Sequence, residues 1–194
     1  IGLLYFLRSF REWEPEALER VILKLYLKLL KESKKKEELY KYKNMTHLKA
    51  GDTAPEINSV DQNGKQITLS QYKGKKVVLY FYPKDMTPGC TAQSCNLTEN
   101  YSALQAKGYE VLGVSCDSVK RHQKFIEKYN LAFSLVSDEE KKVVEDYGVW
   151  GLKKFMGREY MGISRTTFII DEKGIIEEVI TKVDTKNHTS QILK

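Results

Sequence analysis

The chain has 194 residues, the size of one ordinary domain with room for a short appendage. With 41% apolar and 30% charged residues it has a globular composition, and it contains no run of eighteen apolar residues that would span a membrane. The net charge of +6 is uneven, since residues 1–44 hold 11 Lys and Arg against 7 Asp and Glu, whereas residues 45–194 hold 21 against 19. The larger segment is nearly neutral, which argues against a nucleic-acid-binding domain.

Residues 1–44 are predicted to be a basic, helical N-terminal extension. Residues 15–30 are mostly apolar, with lysines spaced to share one face of a helix. Such a helix can lie on a membrane surface or dock on a neighbour, but we favour the simpler interpretation of a mobile or artefactual extension. The domain itself is expected to begin at Met45 and to cover residues 45–194.

Downstream of Met45 the pattern alternates between strands and helices. Asn63 and Gly64 separate two short alternating segments, which predicts a β-hairpin. Apolar runs rich in β-branched and aromatic residues predict buried strands, and the longer stretches between them predict helices. The predicted strands cover residues 77–82, 110–115 and 133–136, and the predicted helices cover residues 91–107, 119–129 and 139–147.

A second predicted hairpin, formed by residues 166–170 and 175–183, follows these elements. Strands that alternate with helices indicate parallel strands joined by crossover helices, and the hairpins add antiparallel strands. We therefore predict an α/β fold with a mixed sheet covered by helices on both faces. The sequence stops at Lys194, soon after the start of a further helix, so we expect the closing helix to be truncated.

The segment with the clearest chemical signal lies between the first buried strand and the next helix. Cys90 stands in the first turn of that helix, where unpaired amides and the helix dipole favour an anion such as a thiolate. Thr87 precedes it by three residues, within reach of the sulfur, and Pro83 and Pro88 restrict the loop. A buried, inert cysteine is the alternative. We favour a reactive Cys90, because open α/β sheets place their sites at the carboxyl ends of strands.

The position of Cys95 argues against two other kinds of site. A thioredoxin-type site has two residues between its cysteines, whereas four residues separate Cys90 from Cys95. On a regular helix the two thiols would be ~140° apart and ~7.5 Å apart along the axis. They cannot bond unless the helix opens. A structural zinc site needs four ligands, and the sequence offers neither a second cysteine pair nor clustered histidines, so no metal is expected.

The remaining candidates are expected to have packing roles. Cys116 ends a predicted strand and is interpreted as a small, mostly buried residue. His47, His122 and His188 are scattered along the chain, which argues against a catalytic or metal-binding histidine. Trp150 and the loop of residues 155–157 also suggest packing.

Several motifs resemble those of the peroxiredoxins and occur in the family's order. Pro83-x-x-x-Thr87-x-x-Cys90 resembles the peroxidatic signature, and its continuation to Cys95 is similar to the bacterioferritin comigratory protein branch, also called PrxQ. Further matching motifs stand at residues 147–151, 155–157 and 165–171. The resemblance covers roughly residues 48–194.

The resemblance implies a thioredoxin-like fold and the reduction of hydrogen peroxide or organic hydroperoxides without a metal or organic cofactor. It implies that Cys90 is the peroxidatic cysteine and that Cys95 resolves it through an intramolecular disulfide. Thr87 matches the threonine beside the cysteine, Pro83 the shielding proline, and Arg165 the arginine that meets the thiolate. Arg165 also opens a predicted strand, and its guanidinium stays charged at any working pH, so we favour a site role over the alternative of an ordinary surface arginine.

The family also implies a reductant, which would be thioredoxin or a similar dithiol. An intramolecular disulfide makes a monomer workable, and three cysteines are too few for a disulfide-stapled secreted protein, so we expect a cytoplasmic monomer. A rival hypothesis from a different class is a peroxide-sensing or holdase-like binding protein with little turnover. Sustained peroxide consumption with a thioredoxin system would separate the two.

Overall fold

The computed structural model describes residues 24–32 and 46–194. The chain divides into two compact units, Ile1–Lys43 and Asn44–Lys194. In the first unit, residues 24–32 form a helix whose residues are all exposed. Among the residues described, no helix is both long enough and apolar enough to cross a membrane. The predicted membrane contact of residues 15–30 falls largely outside the described residues and stays a prediction.

The second unit is built around a seven-stranded mixed sheet. The described strands of this unit, two of which lie outside the main sheet, are β1 (Asn58–Asp61), β2 (Gln66–Thr68), β3 (Lys76–Phe81), β4 (Tyr109–Ser115), β5 (Ser134–Ser137), β6 (Trp150–Phe155), β7 (Arg158–Ile163), β8 (Thr166–Ile170) and β9 (Ile176–Ile180). The sheet has the order β2-β1-β5-β4-β3-β8-β9, while β6 and β7 form a separate hairpin. β3, β4 and β5 run parallel at the centre, and the strands on either side of them are antiparallel.

The α-helices of this unit are α1 (Pro88–Glu99), α2 (Tyr101–Ala106), α3 (Val119–Tyr129), α4 (Lys142–Asp146) and α5 (His188–Ile192). The prediction of one helix over residues 91–107 is wrong, because the first helix begins at Pro88 and is interrupted at Asn100. Asn100 has φ −108° and ψ 13°, and its side-chain amide donates to the carbonyl of Asn96 at 2.8 Å. This local bond competes with helix propagation and divides the segment into α1 and α2.

Helices cover both faces of the sheet, as β3 shows directly. Leu79 and Phe81 enter an apolar core that includes residues of α4. Tyr80, from the opposite face of the same strand, enters a second core with residues of α1, α3 and α5. All three side chains are fully buried. The predicted α/β fold with a mixed sheet between two helical layers is confirmed.

A glycine in β4 allows Tyr80 to hold helix α1. Gly113 pairs directly with Tyr80 across β3 and β4. A Cβ atom at Gly113 would lie 2.7 Å from the Tyr80 ring and 2.7 Å from Leu135, closer than real Cβ contacts come. The tyrosine ring occupies this space, and its hydroxyl lies 3.0 Å from Ser94 Oγ on α1. The strand pair therefore fixes the position of the helix that carries Cys90.

We expect Gly113→Ala to lower the free energy of unfolding by ~1–3 kcal/mol, because overpacked cores relax by shifting side chains and backbone. Denaturant unfolding of the variant measures this change. Tyr80→Phe is the companion variant, since it removes the Ser94 hydrogen bond without adding volume, and it should cost about 1 kcal/mol. An unchanged unfolding midpoint in Gly113→Ala would contradict the packing role of this glycine.

Candidate active site

Cys90 is the third residue of α1, and its side chain is completely buried. Thr87 is the N-cap residue with extended backbone angles of φ −80° and ψ 148°, and Pro88 occupies the first helical position. Proline is tolerated there because the N–H groups of the first turn have no partner inside the helix. Cys90 therefore stands in the first turn of the helix, as the sequence predicts, with the anion-favouring amide end beside the sulfur.

Arg165 lies in direct contact with the sulfur. Its Nη2 donates to Cys90 Sγ at 3.2 Å. Arg165 immediately precedes β8, and the pairing of Phe81 with Thr166 brings the start of β8 to the end of β3. The loop from β3 to α1 starts at that same edge of the sheet. Sheet pairing therefore places a permanently charged guanidinium against a buried sulfur.

Thr87 and Pro83 lie in the loop that leads to Cys90. The Thr87 hydroxyl donates to the carbonyl oxygen of Lys84 at 3.0 Å, which orients it toward the loop backbone. Pro83 is exposed at the start of the loop. The structure thus brings Cys90 and Arg165 into contact, while Thr87 and Pro83 belong to the chain segment that shapes the entrance to α1.

A buried carboxylate holds this loop in place. Asp85 is fully buried, accepts a hydrogen bond from the Tyr82 hydroxyl at 2.7 Å, and lies 2.8 Å from His122 Nδ1. Its backbone amide donates to Asp117 at 2.7 Å. The next residue, Met86, has a left-handed φ of 62°, which is unfavourable for a side chain of its kind. Asp85 therefore stabilises a strained turn just ahead of Cys90, with His122 as its partner.

His188 belongs to a chain of hydrogen bonds that ends at the sulfur of Cys90. Arg165 Nη1 donates to Gln93 Oε1. Gln93 Nε2 lies 3.0 Å from His188 Nδ1, and His188 Nε2 lies 3.0 Å from Thr167 Oγ1. Burial, together with the nearby positive charge of Arg165, lowers the pKa of His188 to about 4. The imidazole is therefore neutral near pH 7.

Sequence reasoning missed both histidine contacts. His122 and Asp85 are separated by 37 positions, and His188 and Gln93 by 95. No short sequence pattern near either histidine indicates its partner, so both were expected to be isolated residues without a catalytic role. The one sequence signal was the position of Gln93, which follows Cys90 by three residues and therefore shares its helical face.

The other two cysteines have different surroundings, although all three are free thiols. Cys95 lies on α1 and is partly exposed, and burial followed by the charge of Glu99 raises its pKa. Cys116 packs against the core that contains Leu79 and Phe81, on the opposite face of the sheet from the core of Cys90. Burial and then the carboxylate of Asp138 raise the pKa of Cys116 to about 12. Within the described residues, Cys90 is the cysteine that hydrogen-bonds a cationic side chain.

The β6–β7 hairpin was not predicted as a pair of strands. Most of β7 is exposed, so the alternation of buried and exposed residues that normally marks a strand is missing. Lys153 in β6 donates to the carbonyl of Ile163 at 3.1 Å. Burial and then the charge of Arg165 lower the pKa of Lys153.

The described part of the chain contains no group of three or more His, Cys, Asp or Glu residues arranged to hold a metal ion. The chemistry that the described side chains offer is that of a buried sulfur nucleophile beside a cation.

Comparison with known proteins places this chain in a family. The model of the AhpC/TSA family matches residues 50–179. The chain is 48% identical to peroxiredoxin Bcp of Escherichia coli strain K12 over 149 residues, which cover 77% of this chain and 96% of that protein. It is 44% identical to peroxiredoxin Bcp of Bacillus subtilis strain 168 over 147 residues, 76% of this chain and 94% of that protein.

Solved structures agree with the sequence relatives. A mutant of Xylella fastidiosa PrxQ superimposes with a TM-score of 0.72 at 32% identity, covering 77% of this chain and 95% of that chain. The Xanthomonas campestris bacterioferritin comigratory protein, studied for its alkyl peroxide reduction activity, gives a TM-score of 0.68 at 33% identity with the same coverage. The thioredoxin-like peroxiredoxin fold implied by the sequence motifs is confirmed, and the chain belongs to the AhpC/TSA family, in its Bcp/PrxQ peroxiredoxin branch.

Proposed function

We propose that this chain is a thiol-dependent peroxidase in which Cys90 attacks hydrogen peroxide or an organic hydroperoxide. The observation that carries the proposal is the 3.2 Å contact between Arg165 Nη2 and Cys90 Sγ in the first turn of α1. Thiolates rather than thiols are the nucleophiles, and a guanidinium and a helix N-terminus both favour the thiolate. Membership of the peroxiredoxin family supports the same assignment.

In the first step, the Cys90 thiolate attacks the terminal oxygen of the hydroperoxide. An S–O bond forms as the O–O bond breaks, and the departing oxygen leaves with both electrons of that bond. It then takes up a proton to become water or an alcohol, while the oxidised sulfur is left as a sulfenic acid. The positive charge of Arg165 stabilises the thiolate before the step and the negative charge that develops on the departing oxygen.

In the second step, Cys95 resolves the sulfenic acid. Its sulfur attacks the sulfur of Cys90, a disulfide forms, and the sulfenic oxygen leaves as water. Burial and then the charge of Glu99 raise the pKa of Cys95 in the reduced structure. Opening of the start of α1 is needed to bring the two sulfurs within bonding range.

The cycle closes when an external dithiol supplies two electrons and two protons to the Cys90–Cys95 disulfide. We infer thioredoxin or a similar protein as that reductant, since Cys95 is partly exposed and a disulfide at this position is accessible from outside. A monomer suffices for an intramolecular disulfide. Three cysteines are too few for a disulfide-stapled secreted protein, which supports a cytoplasmic location.

The nucleophile is tested by comparing two cysteine variants. Cys90→Ser should abolish peroxide consumption, because a hydroxyl provides almost no anion at neutral pH. Cys116→Ser should retain turnover close to wild type, since the pKa of about 12 keeps that thiol protonated. Coupled oxidation of a thioredoxin system measures both. Loss of activity in Cys116→Ser with retention in Cys90→Ser would reverse the assignment.

The role of the guanidinium is tested with Arg165→Lys. A lysine keeps the charge but loses the planar fork that contacts Cys90 Sγ and Gln93 Oε1 together. We expect kcat/KM to fall about tenfold or more, equivalent to ~1.4 kcal/mol of barrier, together with slower alkylation of Cys90 by iodoacetamide at pH 7. Arg158→Lys, at an exposed position of β7, is the matched control and should leave both rates unchanged. Equal rates for Arg165→Lys and the control would remove Arg165 from the reaction.

The predicted opening of α1 is tested by hydrogen exchange in the two redox states. Both cysteines lie on α1 in the reduced structure, so a disulfide requires the start of this helix to unwind. We expect faster amide exchange from Cys90 to Leu97 in the disulfide form, with protection elsewhere largely kept.

Cys95→Ser is the control for this opening. It should keep α1 protected after one equivalent of peroxide, and excess peroxide should drive Cys90 on to sulfinic acid because nothing resolves the sulfenic form. Identical exchange in both redox states of the wild-type protein, with the Cys90–Cys95 disulfide confirmed by mass, would show that no helix opening is needed.

A further inference from the structure

The hydrogen-bond chain behind Arg165 can be assigned a direction, atom by atom. A guanidinium has donors but no acceptor, so the amide oxygen of Gln93 must face Arg165. Gln93 therefore presents its NH2 group to His188, and His188 Nδ1, at 3.0 Å, must accept. A neutral imidazole with an unprotonated Nδ1 carries its proton on Nε2, and this proton is donated to Thr167 Oγ1 at 3.0 Å.

We propose that His188 is a positioning residue for the reaction of Cys90. As the neutral Nε2–H tautomer, it holds the Gln93 amide in the one orientation that offers its oxygen to Arg165, and so keeps the guanidinium against the sulfur. The proposal rests on the proposed role of Cys90 as the nucleophile. It gives a function to a histidine that has no contact with the sulfur itself.

The alternative protonation states do not fit these contacts. With a proton on Nδ1, His188 would face the Gln93 NH2 group donor to donor. Rotating the amide would only move the conflict, since its NH2 group would then face the guanidinium. Both Gln93 and His188 are fully buried, so water cannot relieve either arrangement cheaply. The neutral Nε2–H form is therefore the one that satisfies every member of the chain.

The surroundings of His188 on balance favour the neutral form. Burial is the largest influence on the pKa of His188 and lowers it, Arg165 lowers it further, and Asp184 acts in the opposite direction. The ring of Tyr80 packs edge-on at 6.4 Å between centroids and excludes solvent from this side. Since α5 carries His188, α1 carries Gln93 and β8 carries Thr167, the chain joins three elements behind the sulfur.

Two substitutions at His188 separate a positioning role from simple packing. His188→Leu removes the acceptor for Gln93, whereas His188→Asn keeps an oxygen near the place of Nδ1 that can accept the same hydrogen bond. We expect His188→Leu to slow Cys90 alkylation at pH 7 and to lower kcat/KM by about fivefold to tenfold, the size of one hydrogen bond. His188→Asn should recover most of this loss.

Thr189→Val is the matched control on the same helix. It removes a hydroxyl that lies 3.0 Å from Asn96 Oδ1 and so weakens the contact between α5 and α1 without touching the chain to Arg165. It should lower thermal stability and leave the alkylation rate of Cys90 unchanged. If His188→Leu behaves like this control, or if His188→Asn loses as much as His188→Leu, the positioning role is wrong.

Nitrogen NMR of histidine-labelled, reduced wild-type protein tests the assignment even if the leucine variant does not fold. His188 should show a protonated Nε2 and an unprotonated Nδ1, and a proton on Nδ1 would overturn the proposal. Neither the tautomer nor the alkylation rate depends on peroxidase turnover. Failure of the peroxidase proposal would instead appear as peroxide consumption that survives Cys90→Ser.

Discussion

The contact between Arg165 and Cys90 is the interaction on which the rest of the site depends. It brings together a residue in the first turn of α1 and a residue at the start of β8, 75 positions apart in the chain. Pairing of β3 with β8 sets the position of the guanidinium, and the loop held by Asp85 sets the position of the sulfur. A charged group inside the protein interacts with its neighbours more strongly than it would in water, so small displacements of either element matter.

The helix that carries Cys90 also keeps the two cysteines apart. Its intact first turn supplies the amide end beside Cys90, whereas a disulfide with Cys95 requires that turn to unwind. The proposed cycle therefore needs α1 to be formed during attack and open during resolution. Hydrogen bonds tie α1 to three neighbours: Ser94 bonds Tyr80 of β3, Gln93 bonds Arg165, and Asn96 bonds Thr189 of α5. These contacts limit how far the opening extends.

Local periodicity was enough to predict most of the sheet and its helices. The helix Val119–Tyr129 was predicted with its observed bounds, because its apolar spacing and flanking polar residues are clear signals. The break at Asn100 was missed because it depends on a side-chain hydrogen bond. The β6–β7 hairpin was missed because β7 is too exposed to show an alternation of buried and exposed residues. Cys90 could be proposed from the sequence because its signal is local. The partners of His122 and His188 were missed because they arise from tertiary contacts that no short pattern contains.

The chemical types in the chain behind Arg165 explain how the arginine can be fixed without losing its effect on the sulfur. A carboxylate in place of Gln93 would hold the guanidinium firmly, but its negative charge would compete with the thiolate for the same cation. The amide of Gln93 accepts one hydrogen bond and leaves the net charge of Arg165 unchanged. His188, kept neutral by burial, and the hydroxyl of Thr167 continue the chain without adding charge. Hydrogen bonds along this chain therefore orient Arg165, and the charge of Arg165 stays available to Cys90.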